Sequence, residues 1–440
     1  MRLFFHLPCF ALCCLLLSCS SARHLGRRME REVRRSPIFD QAFTGFVLME
    51  PATGRVLSRV NAHKRFTPAS NTKIFTLYTA LHLLGDSVPA FRYQPVDGGV
   101  RVFGLGDPTF LHPQFAYWRR SFDFLKKSPL VYWSIPEGDQ PPYGPGWAWD
   151  DAQEDYQAEM SAFPVYANLR RVYATSDTAL SIGPRHFKGD LLKGPRSMRA
   201  GTLRPTARQI LYAPASRWPK GFEQWVPIAN MRDHLQPLLQ DTLQHAVAPW
   251  ENHPEDLDSP SFKTLYSTPI DTVLRRMMHQ SDNFIADQLL LACGAHRLGL
   301  ARQDSVIAWM LRRPLRDLPQ PPRWVDGSGL SRYNLFSPHD VALVLRKLWL
   351  EQPQQRLLSL FPAGGVSGTV ADWYAGEGGK PYVFAKTGTL GGVHCLSGYV
   401  LRKDGHPLIF SFMHNGYVGS SRAWKQEMQR LLARIGGRGN

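Results

Sequence analysis

The sequence predicts an α/β (α+β) protein in which one antiparallel sheet, flanked by helices, is interrupted by a mainly β inserted region. Two observations carry this expectation. Strand patterns stand at the two ends of the chain, a pair near the start and three near the end, with helical patterns between them. Sequential strands tend to pair, and helices must cover the faces of the sheet they make. From about 96 to 258, by contrast, the chain is rich in Pro, Trp and Tyr, with short apolar runs and few helical periods. The chain has 440 residues, more than one compact core accounts for, since single domains usually hold roughly 100–200 residues.

The elements follow in order. Thr44 to Glu50, the turn Pro51-Ala52-Thr53-Gly54, and Arg55 to Val60 read as strand, turn and strand. From Ser70 to Leu84, apolar residues recur at helical spacing (Ile74, Leu77, Tyr78, Leu81, Leu84), which puts Ser70 in a first turn. After the insert, Val273, Leu274, Met277 and Met278 mark one helix, and Phe284, Ile285, Leu289 and Leu290 the next. Ser281-Asp282-Asn283 stands at their junction as capping residues. Ser337-Pro338 opens a further helix, with Ser as cap, Pro in first position and Asp340 complementing the dipole, to about Leu350. Strands at 382–386, 393–401 and 408–413 follow, with Lys403-Asp404-Gly405 as a hairpin turn. A last helix, Ser421 to Ile435, ends at Gly436-Gly437. The expected organisation is therefore one domain in two pieces, 37–95 and 259–440, around an inserted region, 96–258, of one or two small domains.

The first residues suit an export signal: Arg2 precedes an apolar run from Leu3 to Leu17 that is too short to span a membrane. Two cleavage readings stand. Leu16-Leu17-Ser18-Cys19 resembles a bacterial lipoprotein box with Cys19 as the lipidated residue, and Ser20-Ser21-Ala22 suits ordinary signal removal; the lipoprotein reading is preferred. Residues 1–19 are then a leader. Residues 20–36, with Arg23, Arg27, Arg28, Arg31, Arg34 and Arg35, are a solvated basic tether. The formal net charge is +16, but an exported chain meets anionic lipid or an acidic wall polymer before nucleic acid, and no nucleic-acid motif is present. A chain 43% apolar and 20% charged has a core to bury, which excludes a disordered or fibrous class. Four of the six cysteines lie in the leader; Cys293 and Cys395 either pair or remain two buried thiols. No Cys/His spacing suggests a metal site, and no cofactor is expected.

Three short motifs carry chemistry. In Ser70-Asn71-Thr72-Lys73, a spacing of three puts hydroxyl and amine on one helix face, so that Lys73 can take the proton of Ser70. Ser281-Asp282-Asn283 supplies a second hydroxyl for proton relay and an amide able to hold a substrate peptide group, though alone it is an ordinary helix cap. Lys386-Thr387-Gly388-Thr389, on a predicted strand, offers a cation and two hydroxyls to a carboxylate, and Gly388 leaves room for substrate beside the backbone. Singly, each is weak. Together they occur once each, in the order found in penicillin-binding proteins and serine β-lactamases.

With these motifs the chain resembles the low-molecular-mass class C penicillin-binding proteins, the D-alanyl-D-alanine carboxypeptidase/endopeptidase family. Further stretches are similar to it: Gly104 to Thr109, Pro145 to Asp151, Gln280 to Asp287, Asp326 to Asn334 and Ala385 to Gly392. The resemblance implies a penicillin-binding transpeptidase-like (serine β-lactamase-like) domain, interrupted after the nucleophile helix. It implies a serine-type peptidase with Ser70 as nucleophile, acting on peptidoglycan peptides and acylated by β-lactam antibiotics; the leader reading adds export to the periplasmic envelope and attachment to the membrane by lipid. Ser281 would pass the proton toward the leaving amine, and Asn283 would hold the substrate backbone. Lys386, Thr387 and Thr389 would face the terminal carboxylate, with the amides of Ser70 and Thr389 as the oxyanion hole. The Asp326 to Gly329 stretch reads as a structural turn, and His394 as a core or surface histidine.

Rival readings fare worse. A class A β-lactamase needs a glutamate after the second motif, and no Glu lies between Asn283 and Glu351. A non-catalytic wall-binding scaffold would not need every one of these polar residues. A lipase-like esterase would carry a G-x-S-x-G elbow, whereas Ser70 stands between Ala69 and Asn71.

Overall fold

The computed structural model describes residues 24–135, 140–206, 208–251 and 259–438. The expected leader, Cys19 included, lies outside the described residues. Along the chain, helix α1 (24–35) precedes strands β1 (Phe43–Met49) and β2 (Val56–Val60) and helix α2 (Lys73–Leu83). There follow β3 (Ser87–Val96), β4 (Gly99–Gly104), β5 (Leu130–Ser134), β6 (Ala246–Pro249) and β7 (Lys263–Pro269). Helices α3 (Ile270–His279), α4 (Asn283–Leu298) and α5 (Pro338–Glu351) lead to β8 (Val383–Leu390), β9 (Val393–Leu401), β10 (Pro407–Asn415) and helix α6 (Arg422–Ile435).

The first sheet has the order β8-β9-β10-β1-β2 and is antiparallel throughout. It joins the two ends of the chain by pairing Phe46 with Phe412. Strand alternation divides its side chains between two apolar layers. Phe46, Leu48, Phe410 and Phe412 face Trp424, Met428 and Leu431 of α6. Val47, Met49, Ile409 and Met413 face the helices that include Phe75, Leu289, Val341 and Leu345. Helices thus cover both faces, α6 on one and α2, α4 and α5 on the other.

The basic segment after the expected leader differs from the expected tether. Residues 24–35 are helical, and Met29 and Val33, four apart on one face, are buried against the outer face of the sheet. Glu32 receives Arg430 at 2.8 Å and also pairs with Arg434. Gly26 lets the helix approach β2, since a Cβ there would collide with Leu57 O. The arginines are the solvated side of an amphipathic helix, and its apolar residues Leu25, Met29 and Val33 were hidden among them.

The inserted region also begins earlier and ends later than composition suggested. A second sheet, ordered β6-β5-β4-β3-β7, pairs Phe91 of the outgoing strand β3 with Leu265 of the returning strand β7. Both strands therefore belong to it, so the departure from the first sheet runs from about 87 to 269. Helices Arg119–Lys126 and Met231–Leu243 pack on this sheet, where Phe91, Val102, Val131, Phe163, Leu235 and Leu239 form a separate core. Two three-stranded sheets, built from 169–183 with 223–227 and from 191–212, complete the region. Among the described residues no helix is long and apolar enough to cross a membrane.

Candidate active site

Ser70 lies in a one-turn 3-10 segment, Ala69–Thr72, that leads into α2. Ala69 has φ 47°, a left-handed conformation costly for a residue with a side chain. It is held there by its carbonyl, which accepts from Thr72 Oγ1 at 2.9 Å and presses on Gly329, where no Cβ would fit. Lys73 is fully buried. Its Nζ reaches three acceptors: Ser70 Oγ at 3.1 Å, Asn283 Oδ1 at 2.6 Å and Ser328 O at 2.7 Å. Burial pushes this amine down to about 8, against the opposing pull of the Asp287, Asp326 and Asp282 carboxylates. An ammonium that costs so much to bury is within reach of its neutral form near physiological pH.

The second motif divides its labour. Asp282 is the N-cap of α4, accepting from Ile285 N at 3.0 Å and from Arg276 Nε at 3.1 Å. That leaves the flanking residues free for the cleft. Ser281, at φ 59°, turns its Oγ to Lys386 Nζ, 2.9 Å away. Asn283 bridges the two sides of the cleft, accepting from Lys73 and donating Nδ2 to Tyr156 O at 3.2 Å.

The third motif lies on β8. Lys386 Nζ is buried and also donates to Thr387 O at 2.9 Å. Burial, and then the neighbouring Lys73, hold its pKa well below that of a free lysine. Asn71 Nδ2 donates to Lys386 O at 3.0 Å and ties the strand to the Ser70 turn. Contact there is close enough to require glycine: a Cβ on Gly388 would stand 2.5 Å from Pro68 O and 3.0 Å from the amide nitrogens of Ser70 and Asn71. Thr387 Oγ1 donates to Thr369 Oγ1 at 2.7 Å. Thr389 is exposed toward the cleft, and its Oγ1 lies 2.9 Å from Nδ1 of His394. Burial pushes the His394 imidazole down to about 3, so it stands neutral beneath Thr389 and orients that hydroxyl.

Ser70, Asn283 and Thr389 line a cleft of about 370 Å³ together with Gly146, Asp151, Tyr156 and Gln157 from the inserted region and Arg332 from the loop before α5. Sequence reasoning gave Asp151, Tyr156, Arg332 and Ser328 no role. The signal available was adjacency to quoted stretches: Pro145 to Asp151 docks on Asp326 to Asn334. Trp147 Nε1 donates to Asp326 Oδ2 at 3.0 Å, and Ser331 Oγ donates to Pro145 O at 2.6 Å. Cys293 and Cys395 are two separate buried thiols. Among the described residues no cluster of His, Cys, Asp or Glu is arranged to hold a metal ion.

Comparison with known proteins matches residues 27–183 and 251–435 to the D-Ala-D-Ala carboxypeptidase 3 (S13) family. The D-alanyl-D-alanine carboxypeptidase DacB of Haemophilus influenzae is 33% identical over 34% of this chain and 33% of its own. The D-alanyl-D-alanine carboxypeptidase of an Actinomadura species is 25% identical over 88% of this chain and 80% of its own. Penicillin binding protein 4 of Haemophilus influenzae shares the fold, with a TM-score of 0.68 over 93% of this chain and 99% of that one at 19% identity.

Proposed function

The chain belongs to the D-Ala-D-Ala carboxypeptidase 3 (S13) family, a family of serine-type carboxypeptidases, and on that premise we propose that Ser70 is its nucleophile and the D-alanyl-D-alanine end of peptidoglycan stem peptides its substrate. The observation that carries this is the contact of Nζ of the fully buried Lys73 with Ser70 Oγ at 3.1 Å, completed by Asn283. As Ser70 Oγ bonds to the carbonyl carbon of the penultimate D-alanine, its proton passes to neutral Lys73. The tetrahedral oxygen sits between the amides of Ser70 and Thr389, a placement supported by the close packing of Gly388 on the Ser70 turn. The C–N bond then breaks, the proton returns through Ser281 to the leaving amine, and water hydrolyses the acyl-enzyme.

Asn283 holds the substrate backbone, while Lys386, Thr387 and Thr389 face the terminal carboxylate. Burial keeps Lys386 a poor site for a lone positive charge, and an incoming carboxylate relieves that cost. Penicillin presents an acyl group and a carboxylate to the same residues and acylates Ser70. Endopeptidase action on cross-links uses the same steps with a larger leaving group. The same reading places the protein in the cell envelope beside its polymer, with 1–19 as leader and Cys19 as lipid anchor. The test is intact-protein mass spectrometry after exposure to a penicillin. The wild type gains the mass of the drug and Ser70→Ala does not; an adduct that survives in Ser70→Ala overturns the assignment.

A further inference from the structure

One turn along α4 from Asn283, Asp287 is buried at 1% exposure, directly below the cleft. Its Oδ1 accepts from the Gly327 amide at 2.7 Å, the Ser328 amide at 3.1 Å and Gln303 Nε2 at 2.9 Å. Its Oδ2 is buried with no hydrogen-bond partner. Asp326 grips the same turn from its other side, accepting from the Gly329 amide at 2.8 Å, the Ser331 amide at 2.7 Å and Asn334 Nδ2 at 2.7 Å. Gly327 lies so close to α4 that a Cβ there would stand 2.5 Å from Ala286 O. Two carboxylates thus fix a four-residue turn, and the turn offers the Ser328 carbonyl to Lys73 Nζ at 2.7 Å.

We propose that Asp287 is a positioning residue for Lys73: it sets the turn that holds the amine against Ser70, and its negative charge stabilises the cation formed when that amine takes the serine proton. The inference rests on the acyl-transfer reading given above. The charged groups facing Lys73 are Asp287 and Asp282 from α4 and its cap, Asp326 from the turn and Lys386 from β8; Gln303, packed on Asp287, is uncharged. Burial, followed by the Asp326 charge, raises Asp287 to about 7, so it is ionised where Lys73, at about 8, gives up its proton. An anion there favours the protonated amine and moves the acid limb of the rate profile to higher pH.

Asp287→Asn separates charge from geometry, since Oδ1 still accepts the three N–H groups and the amide nitrogen replaces an oxygen that had no partner. The experiment is the acylation rate of the full chain by a chromogenic β-lactam across pH, for wild type, Asp287→Asn and Asp287→Ala, with melting curves to verify folding. Wild type is expected to show an acid limb near the Lys73 value. In Asp287→Asn that limb moves to lower pH by about one unit. In Asp287→Ala the turn also loses its acceptor, and the rate falls at every pH by about 10²-fold. If Asp287→Asn does not fold, Gln303→Leu removes a donor that steadies the carboxylate and moves the limb the same way by less. An unmoved limb in the folded variant overturns the proposal, as does equal loss in both Asp287 variants without displacement. A wild type that forms no adduct at Ser70 removes the acyl-transfer reading and this inference together; an adduct with an unmoved limb removes this inference alone.

Discussion

At the scale of single residues the site depends on close approach more than on functional groups. Gly388 has room for one hydrogen where it meets the Ser70 turn, because Pro68 O and two amide nitrogens occupy the space of a side chain. Gly388→Ala must push β8 away from Ser70 by a fraction of an ångström, and misplacement on that scale costs about 10²-fold in rate. The expected outcome is a folded protein whose penicillin adduct forms about 10²-fold more slowly, read by time-resolved mass spectrometry; an unchanged rate would show that the strand and turn can separate freely. Ser70 and Lys73 were legible because a spacing of three puts both side chains on one helix face, and Ser281, Asn283 and Lys386 because their motifs occur together with it in a fixed order; the structure brings all five together. The Ser328 carbonyl was not, since a backbone acceptor leaves no residue-type signature. Asp287 reads in the sequence as one polar residue among the apolar positions of a helix, and only the turn packed against it reveals its three donors.

At the scale of elements, periodicity carried the reading well where a side chain's face decides its fate. The outer strands of the chain and the helix opened by Ser337 and Pro338 form as expected, with Ser337 Oγ accepting from Asp340 N at 3.0 Å. Helix α1 was missed because five arginines outweigh three apolar residues in any count of composition, whereas folding weighs burial. Met29 is completely buried in the outer layer. Met29→Ala is expected to cost about 2–4 kcal/mol, the range for truncating a large apolar side chain in a core, and denaturant unfolding measures it. A loss under about 0.5 kcal/mol, the level of an ordinary surface substitution, would mean that the helix contributes little to the fold.

At the scale of the whole molecule, polar and apolar contacts together join the inserted region to the first domain. Gln288 of α4 is buried between them, accepting from Ser161 N at 3.0 Å and donating to Ser161 O at 2.7 Å and Gly106 O at 3.3 Å. Gln288→Ala leaves these buried backbone groups unpaired, at about 1–3 kcal/mol for each that water cannot reach. Because the same segment carries Tyr156 and Gln157 into the cleft, the variant is expected to melt at a lower temperature and to show a raised KM with a smaller change in kcat. Unchanged KM would mean that the cleft wall is held independently. The extent of the inserted region was not legible for a related reason. The pairing of Phe91 with Leu265 is a matter of register between distant segments, and composition carries no register. Distance along the chain also governs when the enzyme can exist at all. Strand β1 is synthesised long before its neighbour β10, so during synthesis it has β2 on one edge and an unpaired edge on the other until β10 emerges. The sheet that carries the third motif can therefore close only once β10 has been made.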